Sequence, residues 1–431
     1  MKISIRHILS NHIIKTGFFN SASVGVKIVA SILSSKVLAH LLGPSGMGLL
    51  GIFKEFFNMS VNVGSMGFTK GIISYASALK NDKKSFTSFS NTLGLLGLIF
   101  SSIFGILIFA FAKELNYYLF SSDTFVLVFK ILGFAMPFSV LSIFLLALLT
   151  GLGYDRKVIK MNILVYILNM FSLVILAYLY GVKGALIGIS LVYVFQLISI
   201  IVFKPKTFDW NILKAFKISK IYTKKIFGYS VMTLISLILF PFISILIRET
   251  IINVLDQESA GYWEAMKRIS ENYLLFASSL VLLTVLPKLS EKNALLKKVV
   301  WDFYKSVLPF FILFLIIIFS FKKFIVLLFF SDEFLPMLTL FKWYLLGDIF
   351  RILGVVLAAN FFAKRNILGY ILTDMFLAAI MYFSTIALIK YYGLDGGGFA
   401  YLISYAAYFI VLLFVFYKSL FLTPVDNSID D

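Results

Sequence analysis

A succession of apolar runs, each long enough to cross a bilayer and each closed by a short polar break, decides what this chain can fold into. The runs fall at about 17–42, 46–76, 88–112, 124–151, 157–180, 183–203, 227–248, 260–287, 299–320, 335–360, 366–390 and 396–417. A spanning helix needs about 20 apolar residues. The pattern therefore predicts an all-α polytopic membrane protein with about twelve transmembrane helices. Composition agrees, with 60% of the 431 residues hydrophobic and a mean hydropathy of +0.97, outside the range of soluble domains. There is no cysteine, and His7, His12 and His40 are the three histidines. Disulfides, thiol catalysis and a metal cluster are accordingly not expected.

The net charge of +18 acquires meaning from its distribution. Basic residues gather in the N-terminal tail (Lys2, Arg6, Lys15) and in 204–226 (Lys204, Lys206, Lys214, Lys217, Lys220, Lys224, Lys225), whereas the opposite set of loops holds Lys113, Lys183, Lys322, Lys323 and Lys390. That asymmetry is the positive-inside pattern and places both termini in the cytosol. The lysines of 204–226 alternate with Trp210, Leu213, Phe216 and Ile221, which fits an amphipathic helix lying on anionic lipid rather than an arm for nucleic acid. The expected organisation is an N-terminal six-helix lobe at 1–203, a cytosolic amphipathic linker at 204–226, a C-terminal six-helix lobe at 227–420 and a short acidic tail at 421–431.

The halves also resemble each other. Leu119-Phe-Ser-Ser-Asp-Thr-Phe125 parallels Leu328-Phe-Phe-Ser-Asp-Glu-Phe334, Tyr180-Gly-Val-Lys-Gly184 parallels Tyr392-Gly-Leu-Asp-Gly396, Arg156 matches Arg365, and with Gly48 set against Gly261, Lys54 falls opposite Lys267. A common offset of this kind indicates duplication. An even number of spans per half makes the repeats parallel, with a cleft between two lobes that rock to give alternating access. Pro137, Pro241 and the turn Gly43–Gly48 are candidate hinges.

The chemistry is concentrated where charge enters the apolar runs. Glu264, Lys267, Arg268 and Glu271 lie at i, i+3, i+4 and i+7 and form one polar stripe on a helix. Each charge near the bilayer centre costs about 2.5–3.5 kcal/mol. Glu264 with Arg268 and Lys267 with Glu271 are spaced to offset one another, and the stripe is expected to face a wet cavity. Further charges within runs are Lys27, Lys36, Lys54, Glu55, Arg248, Asp348 and Arg351. Asp348 and Arg351 are spaced to pair, and Arg248 lies near a span end, within snorkelling reach. The surplus of buried cations calls for an anion such as phosphate. Substrate-binding candidates are thus Lys27, Lys54, Lys267, Arg268, Arg248 and Arg351, with Trp263, Tyr262 and Tyr273 offered to sugar rings. Glu55, Glu264, Glu271 and Asp348 are candidates to couple transport to H+ or Na+. No other cofactor, metal or catalytic residue is expected.

Gly43-Pro-Ser-Gly-Met-Gly48 after a run containing Lys27, Gly261-x-Trp263 with Ile269-Ser270 and Tyr273, Leu286-Pro287-x-Leu289-Ser290, and Leu346-Gly347-Asp348 occur in this order. In that order they resemble the polysaccharide-export branch of the MOP (multidrug/oligosaccharidyl-lipid/polysaccharide) superfamily, closest to the Wzx-type O-antigen and lipid III flippases. The resemblance implies a V-shaped, MATE-like fold in the bacterial inner membrane. It implies a non-enzymatic transporter that moves undecaprenyl-pyrophosphate-linked oligosaccharide from the cytosolic to the periplasmic leaflet, in lipopolysaccharide O-antigen or similar biosynthesis. Membrane lipids, a polysaccharide polymerase and a chain-length regulator are the implied partners. The family's basic positions match Lys27, Lys54 and Arg351, its proline-containing span followed by Arg matches Pro241 and Arg248, and its acid matches Asp348. Lys267 and Arg268 depart from the small or hydroxyl residues of lipid III flippases, which leaves the glycan open.

Two other readings remain as alternatives. A multidrug or cation antiporter on the same fold calls for a net acidic interior, against the surplus of Lys and Arg. A membrane enzyme such as an O-antigen polymerase or a lipid-linked glycosyltransferase calls for a sizeable extramembrane loop bearing catalytic groups, and the non-cytosolic loops here are short.

Overall fold

In the computed structural model, residues 12–206, 208, 218–291, 295–364 and 366–422 are described. The expectations for the N-terminal tail before His12, for most of the basic segment between Lys206 and Ile218, for Arg365 and for the acidic tail after Leu422 lie outside them. Among the described residues every regular element is helical. The long helices are α1 (His12–Gly64), α2 (Lys83–Ala110), α3 (Val126–Gly151), α4 (Asp155–Ser190), α5 (Lys220–Val254), α6 (Gln257–Leu280), α7 (Leu296–Ser320), α8 (Leu340–Ala363), α9 (Ile367–Tyr392) and α10 (Leu394–Val415).

Nine of the described helices are long and apolar enough to cross a membrane, and the protein is a multi-pass membrane protein. The expected twelve are reconciled by two breaks inside long helices and one addition. Runs one and two are the two parts of α1, which breaks at Gly43 (φ 62°, ψ −174°), and run five meets the start of run six inside α4 at a second break, Gly181 (φ 58°, ψ −140°). Each break needs a positive φ that glycine alone adopts at little cost, and Pro44 restarts a helix without needing the N–H it lacks. The addition is α6, long enough to span but carrying Glu258, Glu264, Lys267, Arg268 and Glu271 within its 24 residues. It continues through a π-helical turn, Val281–Val285, into the short helix Leu286–Ser290, where Pro287 stands in the first turn.

The duplication read from the sequence recurs in the backbone. Gly393 adopts φ 55°, ψ −137°, nearly the values of Gly181. A Cβ placed on Gly184 would lie 1.8 Å from the Leu176 carbonyl oxygen, and one on Gly396 would lie 2.4 Å from that of Leu388. The two tyrosine-glycine turns thus fold the chain in the same way and require glycine at the same two places.

The chain divides into two compact units, Met1–Leu42 with Ile52–Phe242, and Gly43–Gly51 with Ile243–Asp431. The boundary near the middle of the sequence falls inside α5, just after Pro241, whereas the sequence suggests the basic segment 204–226. α5 begins at Lys220, inside that segment, and continues to Val254. The short stretch Gly43–Gly51 leaves its neighbours in sequence to join the second unit, and all three crossings occur beside Gly43, Gly51 or Pro241.

In the first unit α2 and α3 meet backbone to backbone. A Cβ on Gly105 would stand 2.4 Å from the Gly133 carbonyl oxygen, and one on Gly133 would stand 2.6 Å from that of Gly105. Small residues at a crossing are the usual way to bring apolar helices together where lipid offers no hydrophobic drive. Phe53 and Phe56 close the packing on Phe129, with ring centroids 5.7 and 5.5 Å apart. Asp82 caps α2 by accepting from the Ser85 N–H, and hydrogen bonding to Ser85, through its side chain first and its backbone second, lowers the pKa of the Asp82 carboxyl.

In the second unit the same device seats Gly43–Gly51 on α6. A Cβ on Gly261 would approach the Pro44 carbonyl oxygen to 1.9 Å, and one on Gly48 would stand 3.2 Å from the Gly261 nitrogen. Asp256 caps α6 through the Ser259 N–H at 2.6 Å. Replacing Gly261 by alanine is expected to destabilise the protein by about 1–3 kcal/mol, the usual cost of overpacking. Gly71→Ala, with nothing within 4 Å of its added carbon, leaves stability unchanged or raises it. Thermal unfolding in detergent of the two variants beside wild type checks this.

Candidate functional site

The charged stripe of α6 is graded along the helix. Glu264 is 3% exposed, Arg268 14%, Lys267 19% and Glu271 37%. Both i,i+4 pairs expected from the spacing are present, Arg268 with Glu264 and Lys267 with Glu271, each at 3.8 Å. The closest partner of Glu264 is nevertheless Arg248 of α5, at 2.5 Å from Oε2. Arg248 is fully buried, not snorkelling from a span end. It crosses to the neighbouring helix because a guanidinium inside apolar surroundings needs a carboxylate. Gly51 makes room for the pair, since a Cβ there would lie 2.6 Å from Glu264 Oε2 and 2.7 Å from Arg248 Nη2.

Trp263 is buried between two cations. The Arg248 guanidinium stands 5.1 Å from its ring centroid and the Lys267 ammonium 5.5 Å, both within cation–π range. Lys267 also donates to Ser244 Oγ at 3.0 Å. Its ammonium is thus held at a fixed place while remaining partly exposed. Tyr262 packs edge-on against Phe334, and Tyr273 packs against Phe311 and Phe314. The aromatics read from the sequence as sugar platforms therefore have protein partners.

The second cluster centres on Asp348 of α8, which is fully buried. Its carboxylate accepts from Ser270 Oγ at 3.0 and 2.8 Å, from the Tyr273 hydroxyl, and from the Tyr401 hydroxyl at 2.6 Å. Three helices, α6, α8 and α10, meet at this one side chain. The expected pairing of Asp348 with Arg351 is bridged, since Arg351 Nη1 donates to the Tyr401 hydroxyl at 3.0 Å. Spacing alone could not show the tyrosine, which lies 50 residues away in sequence. Arg351 is half-buried, with its guanidinium 5.2 Å from the Tyr405 ring centroid.

The remaining candidates belong to the first unit. There Lys27 is exposed, Lys54 half-buried and Glu55 buried. Among the described residues no group of three or more His, Cys, Asp or Glu could hold a metal ion.

Helices of this length with paired charges inside them define a polytopic membrane protein whose fold is shared with known transporters. The structure superimposes on an inward-facing multidrug resistance MATE family transporter of the MOP superfamily with a TM-score of 0.72, at 17% identity over 91% of this chain and 94% of the other. It superimposes on the lipid II flippase MurJ, in an inward closed conformation, with a TM-score of 0.69, at 18% identity over 94% of this chain and 89% of the other. The sequence profile of the polysaccharide biosynthesis protein family matches residues 37–339, and the chain belongs to that family. It is 25% identical to the lipid III flippase of Escherichia coli (strain K12) over 415 residues, covering 93% of this chain and 97% of the relative, and equally so to the lipid III flippase of Shigella flexneri.

Breaking a buried ion pair from one side leaves an uncompensated charge, whereas replacing both partners by apolar groups of similar size is often tolerated. Glu264→Ala alone is therefore expected to cost about 3–5 kcal/mol of stability, and Arg248→Met with Glu264→Met to recover most of it. Unfolding midpoints of the single and double variants in detergent measure the difference.

Proposed function

We propose that this protein is a flippase for undecaprenyl-pyrophosphate-linked oligosaccharide, an O-antigen unit or a similar glycan, and that the second unit holds the pyrophosphate by Lys267, Arg268 and Arg351. The observation that carries the reading is the burial of two acids beside three cations that stay partly open. Glu264 and Asp348 are buried and already engaged by Arg248 and by three hydroxyls, while Lys267, Arg268 and Arg351 keep part of their surface open. An anion approaching this unit thus meets three partly open cations with Glu264 and Asp348 withdrawn, and Glu271, beside Lys267, is the acid of the stripe that stays exposed. Similarity to two lipid III flippases over nearly the whole chain supports the same class.

The lipid tail stays in the bilayer and only the head group is carried, by alternating access. Movement of about two negative charges outward under an inside-negative potential of 100 mV is downhill by about 4–5 kcal/mol. Membrane potential then sets the direction. Coupling to H+ or Na+ falls to Glu271, whose carboxylate is 37% exposed. The setting is the bacterial inner membrane with both termini cytosolic, where a polymerase and a chain-length regulator receive the product.

In sealed proteoliposomes carrying the lipid-linked oligosaccharide on one leaflet, Lys267→Ala with Arg268→Ala is expected to lower transport at least tenfold, because each charge-assisted contact is worth about 1.5–3 kcal/mol. Reversal of either charge abolishes transport, and Lys267→Arg retains part of it. Wild-type rates in the double variant would refute the site.

A further inference from the structure

The reading just given rests on Arg351 as one of three cations, and the structure shows how that guanidinium is held. A phenol has one proton and can also accept. The Tyr401 proton goes to Asp348 Oδ1 at 2.6 Å, so its lone pairs face Arg351 Nη1 at 3.0 Å. The chain of donation runs in one direction, from Arg351 through Tyr401 to Asp348. The far end is fixed, because both carboxylate oxygens also receive hydroxyl donors from Ser270 and Tyr273 on α6.

The tyrosine is held as firmly as the acid. Its ring stacks on Tyr344 at 4.2 Å and 13°, and it lies directly over Gly347, where a Cβ would come within 2.5 Å of Tyr401 Cδ1. Tyr405, one turn further along α10, supports one face of the guanidinium. Of the five N–H donors of an arginine, the bond to Tyr401 uses one. A planar fork fixed at one nitrogen and along one face, and half-buried, suits bidentate capture of a phosphate oxygen pair.

We infer that Tyr401, tethered to Asp348, is a positioning residue that presets Arg351 for the diphosphate of the transported head group. This deepens the proposed function and rests on it. Asp348, whose oxygens are filled by hydroxyl donors, serves here as the anchor of an arginine.

The test is binding of inorganic pyrophosphate to the full-length protein in detergent, measured by calorimetry for wild type, Tyr401→Phe, Arg351→Ala and the double variant. Phenylalanine keeps the ring, the stack and the fit over Gly347 while removing the hydroxyl. Tyr401→Phe is expected to weaken binding about threefold to tenfold, the scale of one hydrogen bond, and to add nothing once Arg351 is alanine, since interacting residues are not additive. Asp348→Asn gives the same Arg351-dependent loss, and it decides the matter should Tyr401→Phe fail to fold. Equal losses in both backgrounds, or none in either, would overturn the positioning role alone. Wild-type affinity in Arg351→Ala would overturn the positioning role and take Arg351 out of the proposed site, leaving Lys267 and Arg268 to hold the pyrophosphate. Absence of pyrophosphate binding by wild type would overturn the positioning role and the proposed diphosphate site together.

Discussion

Charge placed inside an apolar medium must be compensated where it sits, and the second unit is built around that requirement. Water cannot reach a fully buried guanidinium, so Arg248 takes Glu264 from the next helix. Asp348 has no water either, and it gathers hydroxyls from Ser270, Tyr273 and Tyr401. Each arrangement ties helices to one another more specifically than apolar packing can, because a missing partner leaves a buried charge exposed to its full desolvation penalty. Those two acids are thereby occupied, and Lys267, Arg268 and Arg351 are the cations of this unit that keep an open edge towards a ligand.

The close approach of backbones makes this possible. Gly51 leaves the space in which Arg248 and Glu264 meet, Gly347 lets Tyr401 lie flat on α8, and Gly48 and Gly261 bring the segment Gly43–Gly51 against α6. In a membrane the helices gain little from burying apolar surface against one another rather than against lipid. Contact at glycines, with charge pairs set beside it, supplies specificity. The same stretch, Gly43–Gly51, is the part of the N-terminal half that belongs to the second unit. At its first end Gly43 breaks the helix with a positive φ, and Pro241 interrupts the hydrogen-bond ladder inside α5, as a proline within a helix does.

Much of this was legible in the sequence. The apolar runs gave the helices, the offset between halves anticipated the matching glycine turns at Gly181 and Gly393, and the i,i+4 spacing anticipated both pairs on α6. What the sequence could not show was partnership over distance. Nothing local distinguishes Glu264 as a partner of Arg248 rather than of Arg268, and nothing joins Tyr401 to Asp348 until α8 and α10 are packed together. The helix breaks at Gly43 and Gly181 fall where the apolar runs end, at 42 and 180.

The most direct test of the central claim, that the open cations serve a negatively charged lipid head group, is the voltage dependence of transport by wild-type protein. Undecaprenyl-pyrophosphate oligosaccharide is supplied on one leaflet of sealed vesicles and its arrival on the other is read under potentials of either sign. The account predicts that arrival speeds up when the supply side is negative, slows when the sign is reversed, and is unaffected by an excess of an organic cation. Movement of the organic cation without movement of the lipid would contradict it.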